Sequence, residues 1–248
     1  MSPGAVTRVF EDSKPDLVVH LAALCGAKSS VEKPHEFFRV NAQGTVNVLE
    51  ACRITGVGRF LLTSSLTVHG AGDDAKTEDS PYAPRHPYAA AKAAAEMATQ
   101  IYTRCYGLRA VIMRPTLVVG EGYKEPHAIG DFIETARRGG VIEIFGSGDH
   151  RRDFVHPEDV ARAVAASVDL LANAEPGYCE KVNISNGQPI SMSDLADLVI
   201  RIVGHGSKIF VPPTAQAFSL FCSIERAKAL LSWHPQISVE EIIRRLSQ

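Results

Sequence analysis

A tyrosine and a lysine four residues apart, Tyr88 and Lys92, have the clearest capacity for proton transfer in this chain. Residues four apart on an α-helix share a face, so the phenol and the ammonium can reach one reacting atom. A phenol ordinarily has a pKa of about 10, and a nearby cation lowers that pKa because it favours the phenolate. Ser65 ends a strand-like run upstream, and its hydroxyl can share the proton. The trio predicts an acid–base site that moves a proton on or off an alcohol or sugar oxygen during hydride transfer.

The spacing of Tyr88 and Lys92 is weak on its own, because the chain has six tyrosines and an ordinary solvated helix turn would show the same pattern. Two neighbouring features strengthen the hypothesis. Pro87 suits the first turn of a helix, where its missing N–H costs no hydrogen bond. The run Thr63-Ser64-Ser65 ends a strand, and α/β sheets place their ligands at the carboxyl ends of strands.

The elements that would position these residues alternate between strand and helix in the first half of the chain. Short, nearly continuous apolar runs are typical of parallel strands that are buried on both faces. In order, the predicted elements are a strand at 17–22, a helix at 34–55, a strand at 59–64, a helix at 88–106 and a strand at 110–113. This alternation predicts an α/β fold built on a doubly wound parallel sheet.

The second half of the chain is more mixed. The predicted elements there are helices at 128–138, 157–171, 191–203 and 238–246, and strands at 141–145 and 181–185. A helix opened by proline, with acids in its first turn, is a typical start signal and supports the helix at 157. No repeat or linker divides the chain, so we expect a small cap on the sheet and not an independent domain.

Composition excludes several classes of function. Of the 248 residues 45% are hydrophobic and 22% charged, which is ordinary for a globular protein. The formal net charge of −2 gives no electrostatic case for binding nucleic acid or an anionic membrane. No apolar stretch is long enough to span a bilayer, and no signal-peptide core is present. Five scattered cysteines without a Cys-x-x-Cys pair indicate reduced thiols in the cytoplasm, with neither a disulfide framework nor a metal site.

Eight short segments follow one another in an order that belongs to a known family. The segments are residues 15–23, 41–51, 63–70, 87–92, 114–115, 152–160, 183–187 and 231–235. The chain resembles the NAD-dependent sugar-nucleotide epimerase/dehydratase family, a branch of the extended short-chain dehydrogenases/reductases. The resemblance implies a partial Rossmann-like sheet over residues 1–120, to which some later segments return. It implies a small C-terminal substrate-binding cap made mostly of residues 121–248.

The resemblance also implies a role for each residue of the site. Ser65 and Tyr88 would contact the reacting sugar hydroxyl, with Tyr88 as base and acid, and Thr67 would lie beside the sugar. Lys92 would hold the ribose of the nicotinamide and lower the pKa of Tyr88. Arg152 would bind the substrate diphosphate with paired hydrogen bonds. The NAD groove would be lined by His20, Leu21, Ala22, Ala23, Asn41, Thr63, Ser64, Tyr88, Lys92 and Pro115.

The chain departs from the family at its start. Members begin with a strand, a glycine-rich turn and a helix whose N-terminal amides hold the cofactor pyrophosphate. Met1 to Asp12 supply one glycine, Gly4, so roughly 60 residues of that pattern have no counterpart here. We therefore expect a truncated chain that binds NAD weakly and turns over little.

Three further departures bear on the chemistry. Leu66 and Thr67 stand where dehydrating and decarboxylating members carry a carboxylate, which favours 4-epimerisation or a simple oxidation or reduction. His69 replaces the tyrosine of a Val-Tyr-Gly signature, and we expect it to have a packing role. The second arginine that often clamps the diphosphate is not evident at residues 211–216.

The leading hypothesis is an isomerase: an NAD-dependent 4-epimerase of a nucleotide sugar that works through a keto intermediate. A second hypothesis is a catalytically silent remnant that acts as a binding or assembly module. A third is a reductase of another carbonyl substrate, which would need an apolar pocket in place of the Arg152 phosphate site. Family members often pair through two helices, here 34–55 and 87–106, so a homodimer is a further expectation.

Overall fold

A computed structural model describes residues 3–123, 126–213 and 217–248. The helices are α1 Pro3–Ser13, α2 Ala27–Glu32, α3 Pro34–Phe37, α4 Gly44–Thr55, α5 Pro87–Tyr106, α6 Ala128–Arg137, α7 Pro157–Ala172, α8 Met192–Val203, α9 Glu225–Leu231 and α10 Val239–Leu246. The strands are β1 Val18–His20, β2 Arg59–Thr63, β3 Arg109–Pro115, β4 Leu117–Val118, β5 Val141–Phe145, β6 Arg151–Arg152, β7 Phe154–Val155, β8 Cys179–Ile184, β9 Ile190–Ser191 and β10 Ser207–Val211.

The central sheet is parallel and has the strand order β1-β2-β3-β8. Its interior strands β2 and β3 are apolar along most of their length, because both faces are covered by helices. Phe60 and Leu62 of β2 pack with residues of α1, α4 and α5, whereas Leu61, between them, packs with residues of α7 and α9. This alternation follows from the two-residue period of a strand. The predicted doubly wound α/β fold is confirmed.

A second core holds the cap together. Ile142 and Ile144 of β5 pack with residues of α6, α8 and α10. Strand β10 pairs in parallel with β5 and extends this layer. Not all of the chain after residue 120 lies in the cap, since β8 is a strand of the central sheet and α7 and α9 cover one of its faces. The domain boundary near residue 120 stays a prediction.

The predicted helix at 34–55 is the element that differs most from the structure. It is divided into α3, a π-helical turn at Phe38–Gln43, and α4. The wider turn carries Asn41, whose buried side chain hydrogen-bonds both the N–H and the C=O of Leu24, at 2.8 Å and 2.9 Å. Turns of this kind are often found at functional sites. Here the turn fixes the loop that follows β1.

Strand β1 is shorter than the predicted strand at 17–22. Within the described ranges it pairs with β2 alone, so that it forms an edge of the sheet. The chain leaves the sheet after His20, and the side chain of Leu21 is 56% exposed. Across the part of the chain that is described, no helix is both long and apolar enough to span a membrane.

Candidate active site

The candidate site lies at the carboxyl ends of three adjacent strands. His20 ends β1, Thr63 ends β2 and Pro115 ends β3. The three strands are parallel and paired in register, so these residues meet at one edge of the sheet. Carboxyl ends of parallel strands are where open α/β sheets bind their ligands.

Ser65 is held in place by the short turn that follows β2. Its backbone is extended, and it caps a 3₁₀ turn at Leu66–His69 by accepting a hydrogen bond from the N–H of Thr67 at 3.3 Å. The hydroxyl of Thr67 also donates to the Ser65 hydroxyl, at 2.9 Å. Two hydrogen bonds thus restrict the orientation of the serine hydroxyl, and the predicted place of Thr67 beside the sugar stays a prediction.

Tyr88 lies in the first turn of α5, directly after Pro87, and its side chain interacts with that of Ser65. Burial raises the pKa of Tyr88 above its ordinary value, and the hydrogen bond with Ser65 acts in the opposite direction. The phenol is therefore held neutral at pH 7, with Ser65 as its partner. A lowering of this pKa by Lys92, which the sequence predicts, stays a prediction.

Lys92 lies one turn further along α5 and is buried. Its Nζ donates to the backbone C=O of Thr63 at 2.6 Å. Burial lowers the pKa of Lys92 to about 8, although electrostatic interactions with Cys25 and Glu96 oppose the shift. The pKa of this ammonium is thus close to physiological pH. The group lies at the end of β2 and on the same helix as Tyr88. Cys25, which also interacts electrostatically with Tyr88, carried no sequence signal.

Two aromatic rings fix the orientation of the Tyr88 ring. The imidazole of His86 is stacked on it, with ring centroids 5.9 Å apart and an interplanar angle of 16°. Phe37 packs edge-on against it, at 6.3 Å and 89°. The Nδ1 atom of His86 accepts a hydrogen bond from the N–H of Ala89 and so caps α5. Sequence reasoning missed both contacts, because neither follows from helical spacing.

A buried ion pair lies behind the trio. Arg114 on β3 and Glu96 on α5 are 1% and 0% exposed, and Nη2 of the arginine donates to Oε2 of the glutamate at 2.6 Å. The hydroxyl of Ser64 donates to the other carboxylate oxygen of Glu96 at 2.5 Å. Because Ser64 precedes Ser65, this hydrogen bond ties the end of β2 to the middle of α5.

His69 belongs to the same network, and the expected packing role is an incomplete description of it. Arg114 donates to Nε2 of His69 at 2.9 Å, and a guanidinium can only donate. The imidazole therefore carries its proton on Nδ1, which lies 3.0 Å from the C=O of Pro81 and donates to it. Burial lowers the pKa of His69, so the ring is neutral. It also stacks on the ring of Tyr82.

The residues predicted to line the NAD groove fall into two groups. Thr63 and Lys92 are joined by a hydrogen bond at the end of β2, and the Thr63 hydroxyl is a buried oxygen without a hydrogen-bond partner among the described residues. The side chain of Asn41 instead hydrogen-bonds the backbone of Leu24 and so fixes the loop that contains Ala22 and Ala23. His20 is hydrogen-bonded to Thr45 at 3.1 Å, and burial together with the charge of Lys92 lowers its pKa to about 4.

These residues fit one end of the cofactor. The unsatisfied hydroxyl of Thr63, the ammonium of Lys92 and the phenol of Tyr88 supply the polar groups that a nicotinamide ribose requires. The pyrophosphate end is different, because the residues described before β1 form the single helix α1 and contain no glycine-rich turn. Within the described ranges no three His, Cys, Asp or Glu side chains are placed to hold a metal ion.

Arg152 lies on another element, the cap strand β6, which pairs with β9. Its guanidinium stacks on the ring of Phe218, with Cζ 3.9 Å from the ring centroid. Burial lowers the pKa of Arg152 to about 10. Arg85, which precedes α5, approaches the same ring to 5.0 Å. Arg85 was not predicted as a site residue, since its contact with Phe218 joins distant parts of the chain.

Comparisons with known proteins identify relatives of this chain. Residues 1–185 match the profile of the NAD dependent epimerase/dehydratase family. A UDP-glucuronate 4-epimerase from Thermodesulfobacterium geofontis is 33% identical over an alignment that covers 97% of this chain and 74% of that protein. A UDP-glucose 4-epimerase from Mycolicibacterium smegmatis is 32% identical, with 97% of this chain and 77% of the relative covered.

Solved structures show the same fold. The UDP-glucose 4-epimerase of Thermotoga maritima, determined with UDP-glucose, has a TM-score of 0.87 at 28% identity. The alignment covers 99% of this chain and 80% of the Thermotoga chain. The UDP-glucose 4-epimerase of Thermus thermophilus, determined with NAD, has a TM-score of 0.84 at 29% identity, with coverage of 99% and 81%. The family profile, the relatives and the shared fold together show that this chain belongs to the NAD-dependent epimerase/dehydratase family.

Proposed function

We propose that this protein is an NAD-dependent 4-epimerase of a nucleotide sugar, and that its substrate is a UDP-sugar. The observation that carries the proposal is the grouping of Ser65 and Tyr88, whose side chains interact, with the buried ammonium of Lys92 one helical turn away. Relatives described as 4-epimerases of UDP-glucose and UDP-glucuronate support the substrate class. An epimerase needs one group that removes a hydroxyl proton and later returns it, and a tyrosine held by a serine can do both.

The residues of the chain act on the sugar hydroxyl. Tyr88 removes its proton as the hydroxyl becomes a ketone, and gives the proton back when the ketone is reduced. The hydroxyl of Ser65 forms a hydrogen bond with the same sugar oxygen and keeps that oxygen beside the phenol of Tyr88. NAD, when it is bound, supplies the hydride acceptor and donor. Inversion requires that the keto sugar rotate and present its other face before it is reduced. The contacts at the sugar must therefore be weaker than those at the diphosphate, which stays bound.

Lys92 supplies the positive charge that the phenolate needs. Because burial raises the pKa of Tyr88, deprotonation of this residue is costly unless a cation is close. Lys92 has a pKa of about 8 and is therefore mostly charged at pH 7. It can stabilise the phenolate through the ribose hydroxyls or directly. The same burial that makes Tyr88 a weak acid also keeps water away from the reacting atoms.

The position after Ser65 favours epimerisation over dehydration. Leu66 is 1% exposed and packs into the core beneath the sheet, so it offers no acid or base to the substrate. Thr67 is occupied by its hydrogen bond to Ser65. Elimination of water from a sugar needs an additional acid–base pair next to the serine. The described residues at this position do not provide one.

A catalytically silent binding module remains the alternative function.

For the assembly we propose a homodimer through α4 and α5. Apolar side chains on their outer faces support it, namely Ile54, Met97, Ile101 and Tyr106, which are between 49% and 57% exposed. Five cysteines without a disulfide support a location in the cytoplasm.

The test is an epimerase assay of the 248-residue protein with UDP-glucose and UDP-glucuronate, at NAD concentrations raised until the rate is constant. Tyr88→Phe is expected to lower kcat by at least about a hundredfold, since the acid–base group is lost. Tyr106→Phe, an exposed tyrosine on the same helix, is the control and should be unchanged. Calorimetry with NAD separates the alternatives: a protein that binds NAD but converts neither sugar would contradict the proposal.

A further inference from the structure

Two arginines begin neighbouring strands at the amino edge of the central sheet, which is the edge opposite the candidate active site. Arg59 is the first residue of β2 and Arg109 is the first residue of β3, and the two are register partners. Paired residues of adjacent parallel strands point to the same face of the sheet. Thr63 ends β2 at the other edge, so four residue steps, about 13 Å, separate Arg59 from Thr63.

Hydrogen bonds to the end of α7 use only part of what these two guanidinium groups can donate. Nη2 of Arg59 donates to the C=O of Ala172 at 3.4 Å, and Nε of Arg109 donates to the C=O of Ala174 at 2.7 Å. A guanidinium carries five N–H donors. The Nε–H of Arg59 is buried and has no acceptor among the described residues. Because a buried donor without an acceptor is costly, this atom points to an acceptor that does not come from those residues.

The two positive charges are also not neutralised. Across the part of the chain that is described, neither Arg59 nor Arg109 forms an ion pair with Asp or Glu. Neighbouring strands lie about 4.8 Å apart, so like charges that begin both strands repel each other. The carbonyl groups at the end of α7 offset part of this repulsion, since the C-terminal end of a helix is partly negative. An anion that contacts both guanidinium groups would turn the repulsion into attraction.

A cavity of about 660 Å³ is lined by both arginines. Pockets that bind small molecules usually have volumes of about 300–1,000 Å³ and mostly apolar walls with a few polar groups. The apolar part of this lining comes from α1, from the end of α4 and from the turn before β2, with the side chains of Phe10, Ile54 and Val57. The cavity is therefore large enough for an organic molecule that carries an anionic group.

The charged groups of this cavity favour an anion at its more buried end. Arg59 and Arg109 are half-buried, and Lys14 adds a third cation to the lining. Glu11 and Asp16 also line the cavity, but both are exposed. Water screens exposed charges strongly, so the two acids only weakly oppose an anion held by the arginines.

The backbone of Lys14 is strained, and the strain keeps its side chain at the cavity. Its φ is 45°, in the left-handed region that glycine enters at no steric cost and a residue with a side chain enters at some cost. The N–H of Lys14 donates to the C=O of Phe10 at 2.8 Å, so this conformation ends α1. Strained residues that persist in a fold are often part of a ligand site.

We propose that the amino edge of the sheet holds a second ligand site, in which Arg59, Arg109 and Lys14 bind the phosphate group of a phosphate monoester. Such a group carries between one and two negative charges and three strong acceptor oxygens, which two guanidinium forks and an ammonium can satisfy. The apolar lining receives the organic part of the ester. The site lies at the opposite edge from Tyr88, so the inference does not depend on the reaction proposed there.

The experiment is calorimetry of the 248-residue protein with inorganic phosphate and with phenyl phosphate. Phenyl phosphate should bind more tightly, because its ring is removed from water by the apolar lining. Arg59→Gln is expected to weaken the binding of both probes about tenfold, since charge-assisted hydrogen bonds are lost. The control is Arg138→Gln, which changes an exposed arginine at the end of α6 in the cap. It should bind both probes as the unmodified protein does.

A second variant keeps the test decisive if Arg59→Gln does not fold. Lys14→Gly removes the ammonium and also relieves the left-handed backbone of this position. We expect its melting temperature to rise while its affinity for both phosphate probes falls severalfold. A folded Lys14→Gly protein that binds both probes as tightly as Arg138→Gln would overturn the site of three cations.

Two further titrations locate the anion and identify its class. If Arg152→Gln loses phosphate binding and Arg59→Gln retains it, the phosphate lies beside the cap strand β6 and the inference is overturned, while the epimerase proposal is untouched. Acetate tests for a general carboxylate site, and acetate binding as tight as that of phosphate would overturn the assignment to phosphate. Absence of binding for both phosphate probes would overturn the site itself.

Discussion

At the scale of single residues, Lys92 shows how one buried charge serves chemistry at the expense of stability. Its pKa is lowered from 10.5 to about 8 in the folded protein. Between these two values the unfolded chain binds more protons than the folded chain, so stability should rise with pH across that window. Below pH 8 the folded protein carries the full cost of the buried ammonium.

Lys92→Met should therefore stabilise the protein and inactivate it. We expect the free energy of unfolding at pH 7 to rise by about 1–2 kcal/mol, because a desolvated charge is replaced by an apolar side chain of similar length. Epimerase activity should fall at least about a hundredfold, since the phenolate of Tyr88 loses its cation. Urea unfolding at pH 7 and pH 10 provides the check. A variant that is destabilised at pH 7, or that retains activity, would contradict the role given to this lysine.

His86 combines two roles in one residue, and a serine can separate them. His86→Ser keeps a side chain that caps the N-terminus of α5, but removes the ring that stacks on Tyr88. We expect kcat to fall about tenfold, because the phenol is less well oriented, while the free energy of unfolding changes by less than about 0.5 kcal/mol. His127→Ser, which changes the equivalent cap of α6, is the matched control. Equal kcat values for the two variants would show that the stacking has no part in catalysis.

At the scale of elements, the ion pair of Arg114 and Glu96 joins β3 to α5 and sets the direction of Ser65. Successive side chains of an extended strand point to opposite sides. Because Ser64 is drawn inwards to Glu96, Ser65 must point outwards to Tyr88. The position of the Ser65 hydroxyl thus depends on a carboxylate that is fully buried.

Glu96→Gln should lower the free energy of unfolding by about 3 kcal/mol, because it leaves the Arg114 charge buried without its counter-charge. The matched control is Glu134→Gln, which removes an exposed pair with Arg138 on α6 and should cost less than about 1 kcal/mol. Chemical denaturation of both variants at pH 7 measures the difference. Similar small losses in the two proteins would show that the buried pair is already compensated by water.

The same elements show what the sequence could and could not predict. The periodicity of apolar residues predicted β2, β3, α5 and α8 to within a residue or two, because local patterning decides these elements. It did not predict the π-helical turn at Phe38–Gln43. That turn depends on the contact of Asn41 with Leu24, which no short-range pattern records.

At the scale of the whole molecule, the trio was predictable and its surroundings were not. Ser65, Tyr88 and Lys92 were found from spacing and from the resemblance to a family. The contacts of Arg85 with Phe218 and of Glu96 with Arg114 join distant parts of the chain, and no local sequence motif predicts them. The segment that carries Phe218 is hydrogen-bonded both to the loop after the 3₁₀ turn and to β6. The role of this segment follows from tertiary structure alone.

The histidine caps have a consequence for the protein as a whole. Three helices, α5, α6 and α7, each begin after a histidine whose Nδ1 accepts a backbone hydrogen bond. Protonation would remove that acceptor and place a cation at the positive end of a helix. Burial lowers the pKa of His86 and His127, so these two caps resist protonation only while the fold persists. Below pH 6.5 these two histidines therefore bind protons when the chain unfolds. Mild acidification thus shifts the equilibrium towards the unfolded chain.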